Sequence, residues 1–123
     1  MEIWAVRGAT QARENSKEEI LSATEELMKA LIDTNQLVES CVISAIFTVT
    51  EDLTMAFPAE AARRHGWSQV PMMCAREIPV PGSHARTIRV MIHFRSQNLP
   101  QGPRAVYLRG TEVLRPDLHE GRG

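Results

Sequence analysis

Polar and apolar residues alternate cleanly over several short stretches of the chain, and apolar residues recur at helical spacing in one long one. The best alternation runs from Thr87 to Phe94 (TIRVMIHF). Ile88, Val90, Ile92 and Phe94 fall on one face and Arg89, Met91 and His93 on the other, which predicts a strand. Ile3 to Ala9 (IWAVRGA) reads the same way, with Ile3, Ala5 and Arg7 on one face and Trp4 and Val6 on the other. Arg7 then closes a strand just before Gly8, where backbone and side chain could approach a ligand. Cys41 to Thr50 (CVISAIFTVT) is rich in β-branched residues and predicts a largely buried strand. Val70 to Arg76 (VPMMCAR) predicts another, with Pro71 confined to its start or to a sheet edge. Ala105 to Arg109 and Thr111 to Leu114 predict a hairpin-like pair around Gly110.

The long helical stretch follows a clear start signal. Ser16 precedes Glu19 by three residues, the spacing of a capping box, and Lys17, Glu18 and Glu19 open the helix. Ile20, Leu21, Thr24, Leu27, Met28, Leu31 and Ile32 then line one face, with Asn35 as a plausible end. A second, short helix (AEAARRH) starts from Pro58 at its first position and stops at Gly66. Loops are expected at Asp52 to Pro58, at the Pro- and Gly-punctuated Glu77 to Ser83, and at Ser96 to Pro103. The tail after Leu118 is expected to fray. Without a repeating strand–helix unit, the expectation is a single α+β domain over residues 1–123. It would be a mixed β-sheet of about five strands with helices packed on one face.

Composition sharpens this picture in two places. A chain of 123 residues with 43% apolar content builds one core but leaves little protein to surround a polar ligand, so a site shared between subunits is worth expecting. The net charge of -1 gives no electrostatic drive toward nucleic acid or a membrane surface. Beneath that neutral sum, the basic residues are twelve Arg and two Lys, and Arg offers a planar fork that matches a carboxylate. The two cysteines, Cys41 and Cys74, form no disulfide framework and have no metal-ligand spacing. No stretch has the length of a membrane span, and the opening residues lack a signal-peptide pattern, so the expected location is cytoplasmic.

The familiar chemical motifs are missing. There is no phosphate-binding glycine loop, dinucleotide fingerprint, Cys-x-x-Cys or His-x-x-x-His pair, and His65, His84, His93 and His119 are scattered. What remains is arginines at element ends and inside strands. Arg89 interrupts a run that otherwise looks buried, and a buried guanidinium needs an anionic partner. Glu77 or a ligand could supply it, and a structural Arg–Glu pair on an edge strand would look the same. Taken singly, Arg7 reads equally as a solvated strand-end residue and Arg63 as a surface one. Tyr107 and Cys74, taken singly, read as core residues.

Read together, the segments resemble the monofunctional chorismate mutases of the trimeric pseudo-α/β-barrel (Bacillus-type) class. The matching stretches are VRGAT with ENSKEEI, FTVTEDL to FPAEAAR, GWSQVPMMCAREIPV, IRVMIHF and AVYLRGTEVLRPDL, in order over nearly the whole chain. The resemblance implies an isomerase that rearranges chorismate to prephenate in phenylalanine and tyrosine biosynthesis, without cofactor or metal. It also implies a homotrimer with each active site at a subunit interface. Arg7 would bind a substrate carboxylate and hydroxyl region, with Cys74 near it. Arg89 would stand beside the ether oxygen of the breaking bond, and Glu77 would contact the ring hydroxyl and orient Arg89. Tyr107 would hydrogen-bond the side-chain carboxylate. Phe57, Ala59, Met72, Met73 and Leu114 would form the apolar wall. Arg63 and Arg115 would lie at the entrance, under a closing C-terminal segment. One departure is visible: family members often carry Lys where this chain has Glu60.

The implied reaction is pericyclic and needs no nucleophile, base or metal, which agrees with the missing motifs. Two other readings compete. A non-catalytic sensor of small carboxylates on the same fold would have no use for a cation at an ether oxygen. A small trimeric enamine/imine deaminase would lack the FPA, IRV and VLRPDL stretches.

Overall fold

A computed structural model describes residues 1–97 and 99–114. The chain order is β1 (Glu2–Gln11), α1 (Lys17–Asn35), a 3-10 turn (Glu39–Cys41), β2 (Val42–Val49), α2 (Ala59–Arg64), β3 (Met72–Arg76), β4 (Thr87–Ser96), β5 (Val106–Tyr107) and a second 3-10 turn (Thr111–Leu114). The five strands form one mixed sheet in the order β3-β2-β4-β1-β5. The inner pairs, β1 with β4 and β2 with β4, are antiparallel, while the two edge strands run parallel to their neighbours. Among the described residues, no helix is long and apolar enough to cross a membrane.

Both helices cover the same side of the sheet. Leu27, Met28 and Leu31 of α1 and Ala59 and Ala62 of α2 pack against Val6, Ala45, Phe47, Val90, Ile92 and Phe94. Burial of these apolar side chains is the main stabilising contribution, at roughly 1.5–3 kcal/mol for each large one. The strict alternation of β4 is realised: Ile88, Val90, Ile92 and Phe94 are buried, and Arg89, Met91 and His93 are half-buried on the opposite face. Among the described residues no helix covers that opposite face, and Ile3 and Met73 stand on it 65% and 68% exposed.

The structure departs from the sequence expectations at several points. β1 extends to Gln11, so Arg7 lies in mid-strand and not at its end. Gly8 faces the helix: a Cβ there would lie 2.8 Å from Leu31 Cδ1, 3.0 Å from Leu27 Cδ1 and 3.1 Å from the Val106 carbonyl oxygen, so a side chain would push these leucines aside. β2 starts one residue late, after a 3-10 turn, and is buried on one face only, with Ile46 exposed on the other. β3 starts at Met72, with Pro71 just ahead of it accepting a hydrogen bond from the Ala45 N–H at 3.0 Å. Pro58 is the N-cap of α2 and precedes its first position.

The expected C-terminal hairpin is absent. β5 pairs in parallel with β1, Val106 beside Gly8 and Tyr107 beside Ala9, and Thr111–Leu114 is a 3-10 turn. The cause is local. Arg109 and Gly110 adopt φ of 54° and 86°, and the Thr111 hydroxyl lies 2.7 Å from the Leu108 carbonyl and 3.1 Å from that of Ala9, which curls the chain over β1. The capping box is also only half formed. Ser16 Oγ accepts the Glu19 N–H at 3.2 Å, but the Glu19 carboxylate turns away to the Arg13 N–H and to Arg109.

Candidate active site

The open face of the sheet gathers the charged residues that alternation singled out. Arg7 on β1 stands beside Met91 of β4, and Ala9 stands beside Arg89. Arg7 and Arg89 are therefore diagonal neighbours on adjacent strands, a relation that puts side chains about 7–8 Å apart. On the other flank of β4, Thr48 of β2 pairs with Arg89. Glu77 follows β3 directly, and its N–H donates to the Val49 carbonyl at 2.8 Å, so its backbone prolongs the sheet.

These residues form one polar cluster. Glu77 Oε2 lies 3.0 Å from Arg89 Nε and accepts a hydrogen bond from the Thr48 hydroxyl at 2.6 Å. The Arg89 Nε–H is not aimed along that short distance, so it is a buried donor without a hydrogen bond in an otherwise close ion pair. The Arg89 side chain remains 43% exposed and Glu77 19% exposed, so solvent screens the pair and it adds little to stability. Arg7 is exposed and has no ion-pair partner among the described residues. Glu77 thus faces Arg89 alone and Arg7 stands unpaired beside them on the same sheet face, which leaves a positive surface suited to a ligand with carboxylate groups. Tyr107 joins them at the β5 edge, because its ladder partner Ala9 lies between it and Arg89.

A second group lies at the opposite edge, on the helix side of the sheet. Phe57, 69% exposed, and Cys74 line an open pocket of about 500 Å³ together with Lys17, Met55, Glu60 and Arg76. Cys74 pairs in register with the core residue Phe47, and Met72 with Ala45, so both face the helices and pack against the core. Ala59 is buried at the start of α2 and Arg63 is exposed on it. Met73 points to the open face, and Leu114 is half-buried in the last 3-10 turn. Arg115 lies outside the described residues. One chain therefore brings Arg7, Glu77, Arg89 and Tyr107 together, but it does not bring them to Phe57, Ala59, Arg63 and Cys74.

Supports that sequence reasoning missed hold both groups. Thr48 carried no signal of its own, since only the β2–β4 register shows that it meets Arg89 and Glu77. Asp52 accepts the Arg86 N–H at 3.1 and 3.0 Å and the Thr50 hydroxyl at 2.6 Å, which fixes Arg86, the residue just before β4 and three ahead of Arg89. Burial pushes the Asp52 carboxyl upward. The Thr50 hydroxyl, the Arg86 and Asp52 backbone N–H groups and the Arg86 charge outweigh this and hold it below its usual 3.8. At the pocket rim, Glu60 lies 3.8 Å from Lys17 Nζ and 2.9 Å from Arg64 Nη2. Among the described residues, no group of three or more His, Cys, Asp or Glu side chains is placed to hold a metal ion.

Comparison with known proteins adds the following. Residues 3–118 match the family model "Chorismate mutase type I". The chain is 46% identical over 118 residues to "Chorismate mutase AroH" of Thermus thermophilus, covering 95% of this chain and 97% of that protein. It is 39% identical over 120 residues to the Bacillus subtilis protein of the same name, covering 96% and 94%. A solved chorismate mutase from Clostridium thermocellum superposes with a TM-score of 0.86 at 46% identity, covering 89% of this chain and 98% of that one.

Proposed function

We propose that this chain, which belongs to the type I chorismate mutase family, converts chorismate to prephenate through the cluster of Arg7, Arg89 and Glu77. The observation that carries this reading is Arg89 held by Glu77, Glu77 held by Thr48, and an exposed Arg7 without an ion-pair partner among the described residues on the same sheet face.

The chemistry asks for two things. The flexible enolpyruvyl arm must be held over the ring, and a cation and a hydrogen-bonding residue on its carboxylates remove unproductive rotations. Arg7 and Tyr107 take that role. The C–O bond then breaks ahead of C–C bonding, so negative charge gathers on the ether oxygen. A guanidinium fixed beside that oxygen binds the transition state more strongly than the substrate. Arg89 supplies it, oriented by Glu77, which also reaches the ring hydroxyl.

The site is completed between subunits of a homotrimer. In one chain the arginine cluster and the corner of Phe57, Ala59, Arg63 and Cys74 occupy different sides of the sheet, so a ligand touching both needs a neighbour's corner. The exposed Ile3 and Met73 on the helix-free face suit contact with such a neighbour. Met72, Met73 and Leu114 contribute to the apolar wall, and Arg63 and Arg115 stand at the entrance. The reading requires no cofactor or metal and places the enzyme in the cytoplasm, with no nucleic-acid or membrane partner.

The test is to add chorismate to the purified protein and follow loss of its ultraviolet absorbance, then convert prephenate to phenylpyruvate with acid. Wild-type protein is expected to turn over without added cofactor, and the Arg89→Ala variant to bind but react far more slowly. Binding without turnover by the wild type would overturn the catalytic reading.

A further inference from the structure

Arg109 has no part in the roles just described, yet its guanidinium makes three hydrogen bonds, more than any other described arginine side chain is seen to make. Its Nη1 donates to Glu19 Oε1 at 2.8 Å and to the Gln11 carbonyl at 3.3 Å, and its Nε donates to Glu26 Oε1 at 3.1 Å. Glu19 and Glu26 stand two turns apart on α1, and Gln11 ends β1, so one guanidinium joins three elements. The residue holds a left-handed φ of 54°, an unfavourable conformation for a residue with a Cβ that persists only where its surroundings enforce it. Its side chain is 24% exposed and that of Glu19 is 19% exposed, which makes this the most enclosed of the described ion pairs.

Its position in the chain gives the clamp meaning. Tyr107 sits two residues earlier, on a strand of only two residues whose ladder pairs just Gly8 and Ala9. Leu114 lies five residues later, beyond Gly110, at the end of the described chain. So short a strand cannot fix its own register by backbone pairing, and the neighbouring bonds are the Leu108 N–H to the Ala9 carbonyl at 2.9 Å and the Thr111 hydroxyl. We infer that Arg109 is a positioning residue for substrate binding: clamped to Glu19, Glu26 and Gln11, it sets where β5 presents Tyr107 to the substrate carboxylate. This rests on the function proposed above and assigns that site a residue outside its wall.

The test is steady-state kinetics on chorismate for Arg109→Gln, Tyr107→Phe and the double variant, beside the wild type. R109Q is expected to raise KM about tenfold with kcat within about twofold, because a displaced binding residue weakens the grip while leaving Arg89 at the ether oxygen. In the Y107F background the same substitution is expected to change KM by less than about twofold, since no hydroxyl remains to misplace. Arg109→Lys, which can hold one carboxylate, recovers part of the loss. If R109Q fails to fold, R109K and Glu26→Gln carry the same cycle with Y107F. Arg109 is structural only, and the inference is overturned, if the variants melt earlier but keep the wild-type KM. Equal KM effects in both backgrounds would overturn it too. A wild type without turnover removes the proposed function, and this inference with it, so the two failures are told apart by the first measurement.

Discussion

Arg89 and Arg109 both face glutamates, but their surroundings differ in a way that separates a working cation from an anchoring one. Arg109 is satisfied by two carboxylates and a backbone carbonyl and is largely enclosed. Burial pulls its pKa down, but the hydrogen bonds and charges of Glu19 and Glu26 more than compensate, so it rises above the ordinary arginine value. Arg89 shares one carboxylate with Thr48, keeps an Nε–H without a hydrogen bond and leaves 43% of its side chain open. Ligand sites must leave binding capacity unspent in the free protein, whereas anchors gain by spending all of it. The difference lies in how completely each guanidinium is satisfied, since both sit beside Glu.

The sharpest way to break this contrast is to remove each cation in turn. Arg89→Ala is expected to lower kcat by at least 10²–10³-fold, about 3–4 kcal/mol of transition-state stabilisation, while changing folding stability by less than about 0.5 kcal/mol. Removal of Arg109 is expected to do the reverse, costing about 1 kcal/mol in stability with kcat nearly intact. Kinetics and urea melts on the same two preparations measure both. Two variants with the same profile would erase the distinction.

A smaller effect comes from the carboxylate that aims Arg89. Glu77→Gln keeps an acceptor for the Thr48 hydroxyl but removes the charge beside the guanidinium, and it is expected to lower kcat by about tenfold. A KM effect alone would mean that Glu77 only contacts substrate and does not orient Arg89.

Acid sharpens the anchoring side. Burial pushes Glu19 upward, but the Arg13 N–H, the Arg109 hydrogen bond and the charges of Arg109 and Arg13 hold its carboxyl below 4.5. A depressed carboxylate contributes stability that is complete above its unfolded value and lost as pH falls through the folded one. The loss therefore begins below 4.5 and is complete only beneath the lowered folded value. Asp52 adds a parallel loss below 3.8. Arg109, with its pKa raised, stays charged throughout this range. Melting temperatures between about pH 7 and about pH 3 should fall less steeply for Glu19→Gln than for the wild type. Identical slopes would show that the pair contributes no acid-sensitive stability.

How much of this was legible in the sequence follows from which facts are local. The faces of β4 and the start of α1 depend on spacing within one segment, and both matched. Arg89 drew notice because a charge inside an apolar strand needs a partner. Thr48 could not be seen, since its role exists only when β2 and β4 lie in register. Gly8 drew notice as a point of ligand approach, but its close neighbours are Leu27 and Leu31 of a helix distant in sequence. The C-terminal hairpin failed because β-branched residues near a glycine do not reveal that Arg109 and Gly110 turn left-handed. The roles of Phe57, Cys74 and Arg63 came from family resemblance alone, and the fold of one chain leaves them apart from the arginines.

The smallest expected effect concerns the rim at Glu60. Glu60 stands between Lys17 at 3.8 Å and Arg64 at 2.9 Å, with side chains 29%, 58% and 53% exposed. Such open pairs contribute about 0–1 kcal/mol to stability, so their importance is to the field met by an arriving dianion. Glu60→Gln frees Lys17 and removes a negative charge from the pocket shared with Phe57 and Cys74. It is expected to lower KM about two- to threefold at low salt with kcat unchanged, an advantage that fades by about 0.5 M salt as screening shortens the reach of every rim charge. If KM rises instead, Glu60 is holding Lys17 where the substrate needs it. The rim would then behave like Arg109, as an anchored cation, and the division between working and anchoring charges would run through the entrance as well as the sheet.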